Sequence, residues 1–159
     1  IPRVEISKQE LALKANDPSS YESAINERIS DLQRSGEPVP ADLYRELFEI
    51  AFRNQDYEKA ARISDEWLLR QNGDTRYLYL SSYALKRSQR IEEARIQAER
   101  VLLRDPHHAN NLVNLADIYR MLGLVDKAEN CIERALELRP GHKSAELIKK
   151  ALSELRAEL

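Results

Sequence analysis

Glycine is scarce in this chain, with 4 residues in 159 standing singly at 36, 73, 123 and 141. A fold of many short strands needs turn glycines at closer spacing, and a phosphate-cradling loop needs several together, so neither is written here. Cysteine is present once, as Cys131, which excludes an internal disulfide; that suits a reducing compartment and is compatible with an oxidising one. No run approaches the roughly 18–20 apolar residues that span a bilayer, and nothing near Ile1 reads as a signal peptide. Because the chain starts at Ile1 rather than Met, we expect a processed product or a cut fragment. The compartment is left open between cytoplasm and periplasm. Charge of one sign is missing too: 25 basic against 27 acidic side chains leave −2, which gives no bulk field for nucleic acid or an anionic membrane.

Charge itself is abundant, at 33% of residues. Together with few glycines and 6 prolines it favours helix, and we expect an all-α protein. A period organises that helix. Pro106 and Pro140 stand 34 residues apart, as do Ala94 and Ala128, and Ala60 lies 34 before Ala94. Self-similarity at such a spacing marks a stack of one supersecondary unit.

Ahead of the periodic part, residues 3–16 suggest a weakly amphipathic helix with Val4, Leu11 and Ala15 on one side. Asp17-Pro18-Ser19-Ser20 breaks it, and Ser19 with Glu22 forms a capping box for a second helix. That helix carries a stripe of Tyr21, Ile25, Ile29 and Leu32 and ends at Gly36-Glu37-Pro38-Val39-Pro40. From Ala41 each unit is two helices joined by a tight turn: 41–54 with 57–71, 75–88 with 91–104, and 109–122 with 125–138. Turns this short require antiparallel helices. Gly123 stands where a left-handed cap is wanted, whereas Gln55 and Gln89 occupy the matching sites and must bear strain or turn differently. Residues 143–158 place Ile148, Leu152, Leu155 and Leu159 on one face and Lys149, Lys150, Glu154, Arg156 and Glu158 on the other, the polar outer side that a terminal element of a stack requires.

The third unit resembles the tetratricopeptide repeat (TPR) family over its whole length. Leu112, Leu115, Ala116 and Tyr119 in its first helix, Ala128, Ile132 and Ala135 in its second, and Pro140 after it match all eight signature sites. The second unit matches less fully, through Leu78, Ser81, Ser82, Leu85, Ala94, Ala98, Val101 and Pro106. The first offers Tyr44, Leu47, Phe48, Ala51, Ala60, Ser64, Trp67 and Asn72, with Phe48 at a site that normally holds a small residue, so its packing must differ. Residues 5–36 suggest an eroded further unit, with Leu11, Ala12, Ala15 and Ala24 at signature sites. The resemblance implies an all-α TPR-type solenoid, a right-handed superhelix of antiparallel helix pairs. It comprises an N-terminal helical pair (1–40), three units (41–74, 75–108 and 109–142) and a C-terminal capping helix (143–159).

Enzyme signals are poor. His107, His108 and His142 lie in links between units, and with Asp105 as the one near ligand they read as solvated loop histidines rather than a zinc site. Cys131 lies mid-helix beside Glu129 and Glu133, without a base or an oxyanion hole, and reads as an inert thiol. Acidic residues pair along helices, for example Glu92 with Arg95. No cofactor, metal or catalytic group is expected.

The TPR resemblance instead implies a concave wall built from the first helix of each pair: Asp42, Arg45, Glu49 and Phe52; Arg76, Tyr79, Tyr83 and Lys86; Asn110, Val113, Asp117 and Arg120. Tyr79 and Tyr83, one turn apart and flanked by Arg76 and Lys86, make an anchor for a peptide. The carboxylate clamp of chaperone-binding TPR domains is not built here, where Arg45 and Glu49, Leu80 and Tyr83, and Asn110 and Asn114 stand at its sites. The expectation is a non-catalytic scaffold that binds a protein or peptide in this groove, with Asn114 rather than Val113 among its contact residues. The alternatives are self-association into a homo-oligomer through residues 1–40, or a regulatory module of a larger enzyme or secretion component.

Overall fold

The computed structural model describes residues 7–68 and 74–159. The expected start of the first helix at Arg3, its Val4, the last turn of the helix expected over 57–71, Asn72 and Gly73 lie outside them. Among the described residues the protein is all-α, with nine helices and no strand. The chain divides into two compact units, 1–72 and 73–159.

The first unit contains α1 (Lys8–Asn16), α2 (Pro18–Arg34), α3 (Ala41–Arg53) and α4 (Tyr57–Leu68), each packed on the next. Helix α1 is started by a reciprocal capping box that sequence reading passed over: Ser7 Oγ accepts from Glu10 N at 3.2 Å, and Ser7 N donates to Glu10 Oε2 at 2.8 Å. The box expected at Ser19 and Glu22 is not formed. Helix α2 begins two residues earlier, at Pro18, and Asp17 caps it by accepting from Ser20 N at 3.2 Å. Proline suits the first helical position because its ring presets φ and it has no N–H to satisfy, which moves the cap to the residue before it. Glu22 pairs instead with Lys59 of α4.

The stripe on α2 packs as expected, with Tyr21, Ile25 and Ile29 buried and Leu32 half-buried. On α1 the inner side is polar: Leu11, Ala12 and Ala15 are exposed, while Glu10 is buried against Arg28 and Lys14 donates to the buried Glu46 Oε2 at 2.6 Å. Tyr21 Oη donates to the same carboxylate oxygen at 2.9 Å. Ion pairs of this kind fix one register between helices more than they add stability. Between α3 and α4 the packing does differ as Phe48 demanded. Its fully buried ring meets Trp67 at 5.6 Å and Phe52 at 5.8 Å between centroids, so aromatic volume fills the crossing.

The second unit contains α5 (Thr75–Arg87), α6 (Ile91–Arg104), α7 (Ala109–Met121), α8 (Val125–Leu138) and α9 (Lys143–Glu158). Helices α5 and α6 pair, α7 and α8 pair, α6 packs on α7, and α7 touches both α5 and α9. At the crossings Ala94, Ala98, Ala116, Ala128 and Ala135 are fully buried. The three tight turns end their helices in one way. The N–H of Asp56, Arg90 and Leu124 bonds back to the carbonyl of Ala51, Leu85 and Tyr119 at 2.8–2.9 Å, across Gln55, Gln89 and Gly123, whose φ values are 59°, 65° and 75°. The two glutamines therefore bear the left-handed strain. Helix α9 caps the unit with Ala145 and Leu152 buried, Ile148 and Leu155 half-buried, and Lys149, Lys150, Glu154 and Glu158 exposed. Leu159, expected on the apolar face, lies beyond the last turn and is exposed.

Candidate functional site

Of the expected binding residues, eight fall on the second unit, where α5 and α7 lie side by side. What holds the two helices in register is a buried polar chain. Ser82 Oγ donates to the carbonyl of Ala94 at 2.8 Å and accepts from Asn114 Nδ2 at 2.9 Å, while Asn111 Nδ2 donates to the carbonyl of Ala98 at 3.0 Å. Helices α5, α6 and α7 are thus tied by groups that have no water to turn to. Asn114, expected among the contact residues, is only 2% exposed and lies beneath the face.

Above that chain sits a charged cluster. Asp117 Oδ2 receives Lys86 Nζ at 3.1 Å, and Arg120 donates to Asp117 Oδ1 at 3.0 and 2.7 Å. Burial pushes the Asp117 carboxyl up, but the two cations outweigh it and hold the group below its ordinary value. Lys86 is 7% exposed, its ammonium 4.7 Å from the centroid of the Tyr83 ring. It therefore orients Tyr83 from below rather than presenting a free charge. The Arg87 guanidinium lies 6.0 Å from the centroid of the same ring and donates to Tyr83 Oη at 3.2 Å.

Tyr79 and Tyr83 are both half-buried and share one face of α5. Burial, and secondarily Tyr83, pushes the Tyr79 hydroxyl up, so it remains a neutral donor at physiological pH. Its ring leans on the His108 ring at 5.0 Å. Arg76 is turned the other way, over Tyr77 at 5.5 Å, and does not flank Tyr79 as the spacing suggested. Asn110 is exposed, and its Oδ1 lies 2.9 Å from His142 Nε2 and 3.4 Å from Arg139 Nη1. In the first unit, Arg45 pairs with Asp42 at 3.3 Å, Glu49 is half-buried, and Phe52 meets Tyr57 edge-on at 5.4 Å, so its ring is committed to packing on both sides.

The histidines have a use that sequence reading missed. His108 Nδ1 accepts from Asn111 N at 3.0 Å and His142 Nδ1 accepts from Ala145 N at 3.3 Å, so each caps the helix that follows. The signal was available: the two stand 34 residues apart, immediately before a helix start. Among the described residues no cluster of His, Cys, Asp and Glu is placed to hold a metal ion, and no helix is long and apolar enough to cross a membrane. Burial pushes the Cys131 thiol up to about 11, with Arg134 opposing, and a thiol in that state is a poor nucleophile. The pairing expected along α6 is present, Arg95 donating to Glu92 Oε2 at 2.8 Å.

Repeated antiparallel helix pairs, with small residues at the crossings of the second unit and a polar terminal helix, define an α-helical repeat protein of the solenoid class. Residues 109–142 match the tetratricopeptide repeat model, and the fold is that of a TPR-type solenoid. No curated protein matches the sequence significantly. Among solved structures it is similar to a tetratricopeptide repeat protein from Parabacteroides merdae, with a TM-score of 0.77 at 18% identity over 95% of this chain and 59% of that one. It is also similar to the Arabidopsis OM64 TPR domain, with a TM-score of 0.66 at 18% identity, covering 72% of this chain and 94% of that one. A third is the second TPR domain of human RPAP3, solved in complex with an HSP70 peptide, with a TM-score of 0.63 at 19% identity over 69% and 92% of the two chains.

Proposed function

We propose that the protein is a non-catalytic interaction module that holds a segment of a partner protein on the α5/α7 face. The observation that carries this is the pair Tyr79 and Tyr83: two half-exposed rings one turn apart, set from beneath by Lys86, Asp117 and the Ser82–Asn114 hydrogen bond. Rings fixed before binding lose little entropy on contact, which is what an anchor requires. Arg120, at the margin of this face, orients a polar or acidic segment. Peptide binding by the similar RPAP3 domain supports the general role. It does not carry over the ligand, because Leu80, Tyr83, Asn110 and Asn114 stand where a chaperone carboxylate clamp would be.

Selection from a random peptide display library, with the parent chain and with a Tyr79→Ala/Tyr83→Ala variant of equal melting temperature, tests the reading. Enriched sequences that bind the parent and lose at least about tenfold in affinity on the variant support it, since loss of an aromatic anchor costs ~2 kcal/mol or more. Equal binding to both would overturn it.

A further inference from the structure

Helix α6 exposes an apolar stripe that the rest of the unit does not explain. Ile96 is 45% and Leu103 84% exposed; with Arg100 between them they lie on one outer face at spacings of 4 and 3. Single exposed leucines are ordinary, but the repeat supplies an internal comparison. In the same register, 34 residues on, α8 carries Asn130, Arg134 and Glu137. The solvated face of a second helix is therefore polar in one pair and apolar in the other. Arg134 donates to the carbonyl of Pro106 at 3.0 Å, while Arg100 makes only a long contact with Gln97 Oε1 at 3.4 Å among the described residues.

A surface of complementary character lies between α8 and α9. It is a cleft of about 470 Å³, with Ile132, Leu136 and Leu152 at its floor and Glu133, Glu137 and Lys149 on its walls. Its volume falls within the range of roughly 300–1,000 Å³ over which protein clefts take ligands. Glu129, on the same side of α8, is held by Arg156 at 2.8 Å, whereas Glu133 and Glu137 have no cation partner among the described residues. An apolar floor with two unpaired carboxylates one helical turn apart at its rim suits a helix that presents isoleucine and leucine with arginine between them.

We propose that the α6 stripe of one copy of this chain docks in the α8/α9 cleft of a second copy. Within one chain the two cannot meet, since α6 is packed on α5 and α7, α8 is packed on α9, and the stripe faces outward. Ile96 and Leu103 enter the cleft over Leu136 and Leu152, and Arg100 reaches Glu133 and Glu137. Because the two surfaces differ, the contact is head-to-tail, leaving a stripe free at one end of a pair and a cleft at the other, so association continues beyond two. This surface is separate from the α5/α7 face.

Sedimentation of the parent, a Leu103→Glu variant and a Glu133→Lys/Glu137→Lys variant tests the proposal, with circular dichroism melts to show that all three are folded. The parent is expected to gain mass with concentration in steps of the 18.4 kDa chain, and each variant alone to stay at one chain. An equimolar mixture should form a pair and go no further, because it retains one intact cleft and one intact stripe. A parent that stays monomeric at every concentration, a Glu133→Lys/Glu137→Lys variant that still associates, or variants that do not pair on mixing would each overturn it. Tyr79→Ala/Tyr83→Ala should leave the association unchanged.

Discussion

Gln55, Gln89 and Gly123 hold one backbone conformation with different side chains, which makes the turns a comparison at single residues. A left-handed residue with a Cβ costs roughly 1–2 kcal/mol, and glycine gives back about 0.5–1 kcal/mol of that through its freer unfolded chain. Gln89→Gly is therefore expected to stabilise the protein by up to about 1 kcal/mol, and Gly123→Gln to destabilise it by a similar amount. A Cβ at Gly123 would meet nothing within 4 Å, so the effect is the backbone's alone. Urea melts check both, and no change in either variant would mean that the turn is not under strain. The site residues show where side-chain spacing stops being informative. Arg76 and Lys86 both stand three residues from a tyrosine, yet Lys86 lies over Tyr83 and Arg76 over Tyr77. Asp117, far away in sequence, is what draws Lys86 inward.

At the scale of the element, helix starts were less legible than helix bodies. The apolar stripe of α2 follows from a spacing that the helix geometry enforces over many residues, and it packs as written. A cap is a single local choice between adjacent polar groups, and Pro18 shifted that choice from Ser19 to Asp17. The histidine caps belong to this scale. Replacing His108 with alanine removes the acceptor for Asn111 N and is expected to cost about 1 kcal/mol, while His108→Asn restores an acceptor and most of that stability. Thermal melts of the two variants, read together, separate the cap from the ring contact with Tyr79, since asparagine keeps the first and loses the second. If asparagine is as damaging as alanine, the ring contact rather than the cap is what matters.

At the scale of the molecule, the second unit has a core of its own, from Leu78 and Leu85 through Val101, Leu112, Leu115 and Ile132 to Leu152, closed by the polar side of α9. In repeat proteins stability is a sum of local and nearest-neighbour terms, so residues 74–159 alone are expected to give a helical spectrum and a cooperative melt. A disordered spectrum would show that this core is insufficient. The sequence by itself determined the helical class, the 34-residue period, the alanines at the crossings and the terminal cap. Each is a repeated, short-range pattern, and a periodic constraint is visible wherever it recurs. Only the tertiary structure decided that Asn114 is buried against Ser82, that Glu46 gathers Lys14 and Tyr21, that Asp117 joins Lys86 to Arg120, and that Leu103 and the α8/α9 cleft are left open. Most of these depend on partners or empty space on other helices, and a one-dimensional pattern carries no distance between helices.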